Sequence, residues 1–267
     1  MISLSRALDV STSALASHLR GWAGTTAFRP AKSQPVQPII LYEMENCPYC
    51  RLVRETLTTL DLDAEIRPCP KGGTRFRPEA QSLSGRAQFP LMVDPNTGRQ
   101  LLESADIVDY LHATYGEGGK TARGLLRRLR VASSYSATAM RPARGYRARS
   151  SRAPEKPLEL YSFESSPYCR IVREALCELE LPYTLRGGGR ASLKDIGTPA
   201  TRKLFTPGRQ PVGRNRVALA ARAGRVQFPY LVDPNVLGSD GQATALFEST
   251  EIVAYLNRTY GASHGLA

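Results

Sequence analysis

Two cysteines of the sequence are spaced so that they could exchange disulfides. Cys47-Pro48-Tyr49-Cys50 follows a short apolar run and opens a stretch of helical periodicity. Pro48 suits the first position of a helix, where no backbone donor is lost. Cys47 would then lie at the helix N-terminus, where free N–H groups and the helix dipole stabilise a thiolate. Cys50, one turn later, could attack a mixed disulfide formed at Cys47. The spacing therefore predicts a redox dithiol with Cys47 as its nucleophile.

Zinc binding and inert burial are the alternatives for this pair. A zinc site needs further ligands, and the chain has no second CxxC pair. Its histidines (His18, His112 and His264) show no ligand spacing, so we expect no metal. Five cysteines, an uneven number, do not suit a scaffold of paired disulfides. They indicate a reducing or redox-poised compartment. Cys69, on a predicted loop, is a further thiol that could be regulatory.

An internal repeat organises the chain. Three blocks return in the same order, 119, 139 and 145 residues later, so the second copy has gained about 20 residues and then about six. The blocks at 39–55, 88–96 and 103–116 return at 158–174, 227–235 and 248–261. The larger gain falls in the Gly/Arg-rich stretch near 187–225, which we predict to be a surface loop.

Each copy predicts the same series of elements. A buried strand precedes a helix whose apolar face recurs at helical steps, with Cys50, Val53, Leu57 and Leu60 in the first copy. A second strand, a hairpin around Asp94-Pro-Asn-Thr-Gly98 and a final helix from about 104 to 115 follow. The order β-α-β-α-β-β-α is that of the thioredoxin fold. We therefore predict an α/β protein with two tandem thioredoxin-like domains.

The motifs resemble two related families. Cys-Pro-Tyr-Cys at a strand-to-helix turn resembles the site of dithiol glutaredoxins. Phe89-Pro90 before a strand, with Glu103-Ser104 opening a helix, resembles the glutathione site of glutathione transferase N-terminal domains. The tandem arrangement is similar to thioredoxin-family proteins of plant and algal chloroplasts. These resemblances cover about residues 38–116 and 157–261.

The resemblance implies how glutathione would bind. Pro90 would follow a cis bond and lie against Cys47, leaving the Phe89 backbone to pair with glutathione. Ser104 would cap the last helix, whose N–H groups receive the γ-glutamyl carboxylate while Glu103 meets the amine. Dithiol glutaredoxins usually carry a Gly-Gly and Cys/Ser-Asp pattern here, so this contact is of transferase type. Two alternatives remain. In the first, Pro90 merely starts an edge strand, and in the second, Ser104 caps the helix without contacting glutathione. Tyr49 is a further candidate contact.

The second copy lacks the nucleophile, because Ser166 stands where Cys47 stands. Ser166 could be a helix N-cap or a transferase-type serine that hydrogen-bonds a glutathione thiolate. Cys169 matches the resolving cysteine but lies on the apolar helix face, which favours an inert thiol. The candidate site of this copy comprises Ser166, Tyr168, Cys169, Phe228, Pro229, Glu248 and Ser249.

Charge is unevenly distributed along the 267 residues. Of the net +12, the segment 117–157 carries +9, and 117–156 is interpreted as a basic Arg/Ser-rich linker. Residues 1–37 are Ser-rich and acid-poor, which predicts a flexible N-terminus or an organelle transit segment. A chloroplast location follows from this and the resemblance, with the cytoplasm as the alternative.

Basic loops are usually solvated, and no groove-reading element accompanies them, so no nucleic-acid partner is predicted. No apolar run is long enough to span a membrane.

These features together predict a glutathione-linked thiol–disulfide oxidoreductase. Glutathione is the cosubstrate, protein or small-molecule disulfides are the substrates, and the chemistry lies in the first domain. The second domain is a degenerate copy. Two alternatives remain open: a glutathione transferase, and a non-catalytic module that binds glutathione or an iron–sulfur cluster.

Overall fold

A computed structural model describes residues 4–118, 121–192 and 210–262. The first module (38–116) has the predicted order of elements, and a helix precedes it. Its elements are α1 (Leu4–Leu19), β1 (Ile39–Glu43), α2 (Pro48–Thr59), β2 (Ala64–Pro68), α3 (Arg77–Ser84), β3 (Leu91–Asp94), β4 (Arg99–Leu101) and α4 (Ser104–Thr114).

The second module (157–261) repeats this order after another helix. Its elements are α5 (Gly124–Ala139), β5 (Leu158–Ser162), α6 (Pro167–Glu178), β6 (Tyr183–Gly187), α7 (Arg214–Ala223), β7 (Tyr230–Leu237), β8 (Ala243–Phe247) and α8 (Ser249–Tyr260). The α/β fold class and the apolar face of α2 are as expected, since Cys50, Val53, Leu57 and Leu60 are all buried.

The two modules share one sheet. Strand β2 pairs antiparallel with β6, so the eight strands run in the order β4-β3-β1-β2-β6-β5-β7-β8. An unpaired strand edge exposes a row of backbone donors and acceptors, and each module covers the other's edge. Apolar side chains of both modules, including Ile66 and Leu185, form a single core cluster. The two modules therefore form one folding unit rather than two separate domains joined by a linker.

Helices α1 and α5 cross between the modules. Helix α1 packs on α6 of the second module, and α5 packs on α2 of the first. Equivalent serines make equivalent bonds: Ser13 Oγ donates to the Pro167 carbonyl at 2.9 Å, and Ser134 Oγ donates to the Pro48 carbonyl at 2.7 Å. Each helix therefore lies against the segment that opens the other module's candidate site.

This packing corrects two expectations about the segments outside the modules. Residues 1–37 were interpreted as flexible and 117–156 as a linker, yet they contain α1 and α5. The repeat extends into both segments with an offset of 121 residues, so that Arg20 and Gly24 correspond to Arg141 and Gly145. This weak similarity lies outside the three repeated blocks, and it is the sequence signal that relates the two segments to each other. Burial of one face of each helix is what orders the segments.

The basic insertion is also narrower than expected. Helix α7 is the counterpart of α3, since both end at a left-handed glycine, Gly224 and Gly85. The additional residues therefore lie between Arg190 and Arg214 rather than across 187–225. Most of this stretch (193–209) lies outside the described residues.

A buried ionic cluster stabilises the contact between α2 and α6. Arg54 of the first module donates to Glu164 of the second at 2.9 Å, and Arg173 of the second donates to Glu45 of the first at 3.0 Å. Arg54 also lies 3.2 Å from Glu45, and Arg173 lies 2.9 Å from Glu164, which closes the ring. Burial acts to raise the pKa of Glu164, but Arg173, Arg54 and Arg51 outweigh it and hold that pKa at about 2. Each module contributes one arginine and one glutamate to the ring, and the two ion pairs that cross between the modules form only when the modules are together.

Within the described part of the chain, no helix is long and apolar enough to cross a membrane.

Replacing Glu164 by Gln should lower the free energy of unfolding by about 3–5 kcal/mol, because it leaves two buried guanidinium groups short of a counter-charge. Glu159→Gln is the matched control, since Glu159 pairs with the half-exposed Arg186 and Arg222 and its loss should cost at most about 1 kcal/mol. Urea denaturation measures both. Equal midpoints for the two variants would contradict the role given to the cluster.

Candidate functional site

Cys47 occupies the N-cap position of α2. Its Sγ accepts a hydrogen bond from the Cys50 backbone N–H at 3.3 Å, and Pro48 is the first helical residue. Cys47 keeps 7% of its surface exposed. Cys50, one turn later, is fully buried. Both thiols are free in the structure. The strand-to-helix turn therefore brings the two thiols together with only the first accessible.

The two thiols differ in acidity. A hydrogen bond from the Cys50 thiol lowers the pKa of Cys47 to about 7, although burial opposes the shift. The backbone N–H groups of Cys50 and Tyr49, and the charge of Arg54, lower it further. Burial raises the pKa of Cys50 well above its ordinary value, and its bond to Cys47 adds to the shift. This asymmetry gives a nucleophilic thiolate backed by a protonated resolving thiol.

The proline segment lies beside the dithiol. The Phe89-Pro90 peptide bond is cis, as the resemblance implied, and the Phe89 carbonyl oxygen is 4.0 Å from Cys47 Sγ. Glu103 accepts a hydrogen bond from Gln88 at 2.6 Å. The expected cap is displaced by one position, because Glu103 occupies the N-cap without a side-chain bond and Ser104 is the first residue of α4. The backbone N–H groups at this terminus remain the place where a carboxylate could bind.

Helix α5 forms one wall of the first site, a contribution that the sequence did not predict. Tyr135 of α5 meets Tyr49 edge-on, with ring centres 5.6 Å apart. A small opening of about 110 Å³ lies between α5 and α4 and is lined by Tyr49, Glu103, Ser104 and the basic residues Arg127 and Arg130 of α5. A second opening of about 490 Å³ lies on the other side of Tyr49 against α5 and is also lined by Arg127. The first site therefore has basic side chains at its rim.

The second module reproduces the backbone of the first site without its nucleophile. Ser166 Oγ accepts from the Cys169 N–H at 3.3 Å, so the N-cap prediction for Ser166 is correct. The Phe228-Pro229 bond is cis, and Glu248 accepts from Gln227 as Glu103 does from Gln88. Cys169 is buried, as expected of an inert core thiol.

The last helix of the second module begins differently. Glu248, at its N-cap, has φ of +66° where Glu103 has φ of −82°, and Ser249 is the first helical residue. A left-handed glutamate costs of the order of 1–3 kcal/mol, and such strain concentrates at binding sites. The backbone at this helix start is therefore held in a conformation that local energetics do not favour.

A large cavity opens at this second site. It has a volume of about 1150 Å³ and is lined by Ser166, Tyr168, Phe228, Pro229 and Glu248 together with the turn that follows α1. The site that lacks the nucleophile therefore has the larger binding space.

The remaining cysteines are structural. Cys69, considered as a regulatory thiol, is fully buried against Tyr42 and Leu91, and burial raises its pKa. Cys177 Sγ donates to the Gly145 carbonyl at 3.3 Å and accepts from the Glu45 N–H at 3.4 Å, which ties α6 to the first module. Among residues 4–118, 121–192 and 210–262, no three His, Cys, Asp or Glu side chains are arranged to hold a metal ion.

The sequence model of the glutathione S-transferase N-terminal domain matches the chain twice, over residues 41–119 and 160–264. These matches cover more than half of the protein, which belongs to this family. The two matches coincide with the two thioredoxin-like modules, each of which carries one cis-proline site.

Two solved structures are similar to part of the chain, both of the Bombyx mori glutathione transferase BmGSTD1, one of them in complex with GTT. Each is 35% identical over 32% of this chain, with a TM-score of 0.29. The matched part spans only 39% of the length of that transferase. No curated protein sequence matches the chain.

Alkylation of Cys47 by iodoacetamide should follow a titration with its midpoint near pH 7, because only the thiolate reacts and its pKa is lowered to about 7. Cys50→Ala removes the donor that contributes most and should move the midpoint upward by about one unit. Cys169→Ala, the matched change in the second module, should leave it unchanged. Peptide mapping of the labelled thiol at each pH measures all three; a midpoint near 9 in the wild type would refute the assignment.

Proposed function

We propose that the protein is a glutathione-linked thiol–disulfide oxidoreductase whose chemistry takes place at Cys47 and Cys50. The observation that carries this proposal is the pairing of a slightly exposed thiol of lowered pKa with a buried thiol of raised pKa. Membership of the glutathione S-transferase N-terminal family supports glutathione as the cosubstrate.

The reaction begins with the Cys47 thiolate. It attacks one sulfur of a glutathione mixed disulfide, forms a Cys47–glutathione disulfide and releases the other sulfur as a thiolate, which takes a proton from water. A second glutathione thiolate then attacks the glutathione sulfur, leaving glutathione disulfide and regenerating Cys47. The net reaction consumes one free glutathione and converts the mixed disulfide into the substrate thiol and glutathione disulfide. Cys50 is not needed for this cycle.

Protein disulfides require the second thiol. After Cys47 forms a mixed disulfide with the substrate, Cys50 loses its proton, attacks Cys47 Sγ and releases the substrate thiol. The high pKa of Cys50 keeps it protonated until the Cys47 sulfur is no longer an anion beside it. The enzyme then carries a Cys47–Cys50 disulfide, which glutathione reduces.

Disulfide exchange is proposed rather than transferase chemistry because the first site pairs a thiol of lowered pKa with a buried thiol of raised pKa. A transferase must also hold an electrophile next to glutathione, and small-molecule pockets commonly measure about 300–1000 Å³. The two openings beside Tyr49 measure about 110 and 490 Å³, and Cys47 lines neither of them. An absorbance spectrum of the purified protein tests the iron–sulfur alternative, which would give a visible band that Cys47→Ser abolishes.

The second module is proposed to hold glutathione without redox chemistry. Phe228, Pro229, Glu248 and Ser249 occupy the positions of the first module's candidate site, and the cavity at Ser166 is large enough for the tripeptide. The Ser166 hydroxyl would donate to the glutathione sulfur. A chloroplast location remains part of this proposal and is supported by the resemblance to thioredoxin-family proteins of plant and algal chloroplasts.

Cys47→Ser should reduce the reduction of a glutathione mixed disulfide to the uncatalysed rate, because it removes the attacking thiolate. Cys50→Ser should retain much of this activity but lose the reduction of protein disulfides. Cys169→Ser, the equivalent change in the second module, serves as the control and should resemble the wild type. Glutathione-dependent turnover of both substrate types is the measurement, and wild-type activity in Cys47→Ser would exclude the mechanism.

Ser166→Cys in the full-length protein rebuilds the Cys-Pro-Tyr-Cys motif with Cys169 already in place. Combined with Cys47→Ser, it should restore mixed-disulfide reduction, because the backbone that lowers the pKa of Cys47 is repeated at Ser166. The double variant with Ser166→Ala is the inactive control. If Ser166→Cys is as inactive as Ser166→Ala and calorimetry detects no glutathione at the second site, the proposal for this module fails.

A further inference from the structure

Helix α1 turns a row of leucines away from the protein. Four of its leucines are 78%, 58%, 46% and 40% exposed, in chain order Leu4, Leu8, Leu15 and Leu19. With 3.6 residues per turn, these positions fall within an arc of about 60° on the helix surface. The buried Ser13 and Ser17, which bond to the second module, lie on the opposite side of the helix. The exposed row is therefore the outer side of α1.

Helix α5 repeats this feature at matching positions. Leu125 and Leu129 stand 121 residues after Leu4 and Leu8, and they are 72% and 56% exposed. The buried residues of α5, Ser134 and Ala137, again lie on the opposite side of the helix. Each copy of the repeat therefore has a pair of leucines, one turn apart, that points away from the module on which its helix packs.

The two helices lie side by side in one layer. The Arg20 guanidinium, just after α1, donates to the Arg130 carbonyl of α5 at 2.9 Å. The equivalent Arg141, just after α5, donates to the Asp9 carbonyl of α1 at 2.7 Å. Because the end of each helix contacts the middle of the other, the helices run antiparallel. The leucines of both helices therefore belong to one outer surface, here called the leucine face: Leu4, Leu8, Leu15, Leu19, Leu125 and Leu129.

Positive charge accompanies the leucine face. Three exposed arginines lie on α5 or immediately before it: Arg123, Arg127 and Arg128. Arg128 lies one turn from Leu125 on the outer side of the helix. The chain has no aspartate or glutamate at positions 118–154, and α1 has a single one, Asp9. Arg141 and Arg144 pair with Asp9, at 2.8 and 3.5 Å. The layer formed by α1 and α5 is therefore cationic as well as apolar.

This combination matches the surface of an anionic lipid bilayer. Helices that lie on such a surface place leucines at the boundary between headgroups and acyl chains, while arginines contact the lipid phosphates. The aliphatic part of an arginine can stay in the apolar layer while its guanidinium reaches the headgroups. A second copy of this chain fits less well, because it would bring an equal positive charge against the same face.

We propose that the layer formed by α1 and α5 docks on the surface of an anionic lipid bilayer, with the leucine face in the headgroup boundary and Arg123 and Arg128 on lipid phosphates. This binding needs no thiol and is independent of the redox function proposed for Cys47. Both candidate sites have a wall from this layer, so docking would hold them next to the membrane surface.

Sedimentation of the full-length protein with lipid vesicles tests the docking. Vesicles of phosphatidylcholine and phosphatidylglycerol in equal amounts should carry the protein down. Vesicles of phosphatidylcholine alone should bind it at least about tenfold more weakly, because they lack anionic headgroups. Raising the salt to about 0.5 M should weaken binding to the anionic vesicles, since salt screens contacts between arginines and phosphates. Equal binding to both kinds of vesicle, or binding to neither, would overturn the proposal.

A first pair of double variants tests the leucine face. Leu4→Gln with Leu8→Gln should lower the partition coefficient onto the anionic vesicles by about tenfold or more, because it removes apolar area that the bilayer would bury. Leu83→Gln with Leu237→Gln is the matched control and should leave the coefficient unchanged, since these leucines are 42% and 65% exposed outside the layer. Urea midpoints verify that each variant is folded.

A second pair of double variants tests the charge. Arg123→Gln with Arg128→Gln should weaken partition about 25-fold, at about fivefold for each arginine near an anionic surface. Arg86→Gln with Arg99→Gln, which changes two exposed arginines of the first module, should have no such effect.

Equal losses in a double variant and its control, for the leucines or for the arginines, would contradict the docking surface. Analytical ultracentrifugation examines the other occupant. A dimer that Leu4→Gln with Leu8→Gln dissociates, while vesicle binding stays the same, would assign the leucine face to a second copy and exclude the proposal.

Discussion

Strand β2 of the first module hydrogen-bonds to β6 of the second, and the other contacts between the modules depend on that pairing. It places α2 and α6 side by side, so that Arg54 and Arg173 each reach a glutamate of the opposite module. Isolated, each module would expose a strand edge and lose the two ion pairs that cross between the modules. The repeat is therefore held together by both backbone and side-chain interactions.

The exchange of helices follows from this arrangement. Because α1 and α5 pack on the module that they do not directly precede, each candidate site receives a wall from outside its own thioredoxin-like unit. At the first site that wall carries Tyr135 and a row of arginines. At the second site the turn after α1 carries Trp22 and leaves a wide cavity.

The two sites therefore share one backbone arrangement but differ in their side chains and in the size of their cavities. The first has a thiol of lowered pKa at the helix N-terminus and a buried thiol beside it. The second has a hydroxyl at that position and a larger cavity. One member of the family thus carries two different candidate sites on a single continuous sheet.

The sequence by itself determined the elements and the dithiol, because strand and helix periodicity, the CxxC spacing and the internal repeat are local properties of the chain. It even located Cys47 at a helix N-terminus and Ser166 at the equivalent cap. Only the tertiary structure decided that the modules share a sheet, that residues 4–19 and 124–139 form helices packed across the modules, and that Glu103 rather than Ser104 is the cap. The acidity of Cys47 and the cavity at Ser166 were decided there too. The shared sheet, the crossing helices and the cavity arise from contacts between residues far apart in the chain, which local patterns do not encode. The acidity of Cys47 depends on hydrogen bonds from its neighbours Cys50 and Tyr49, whose geometry only the folded chain fixes.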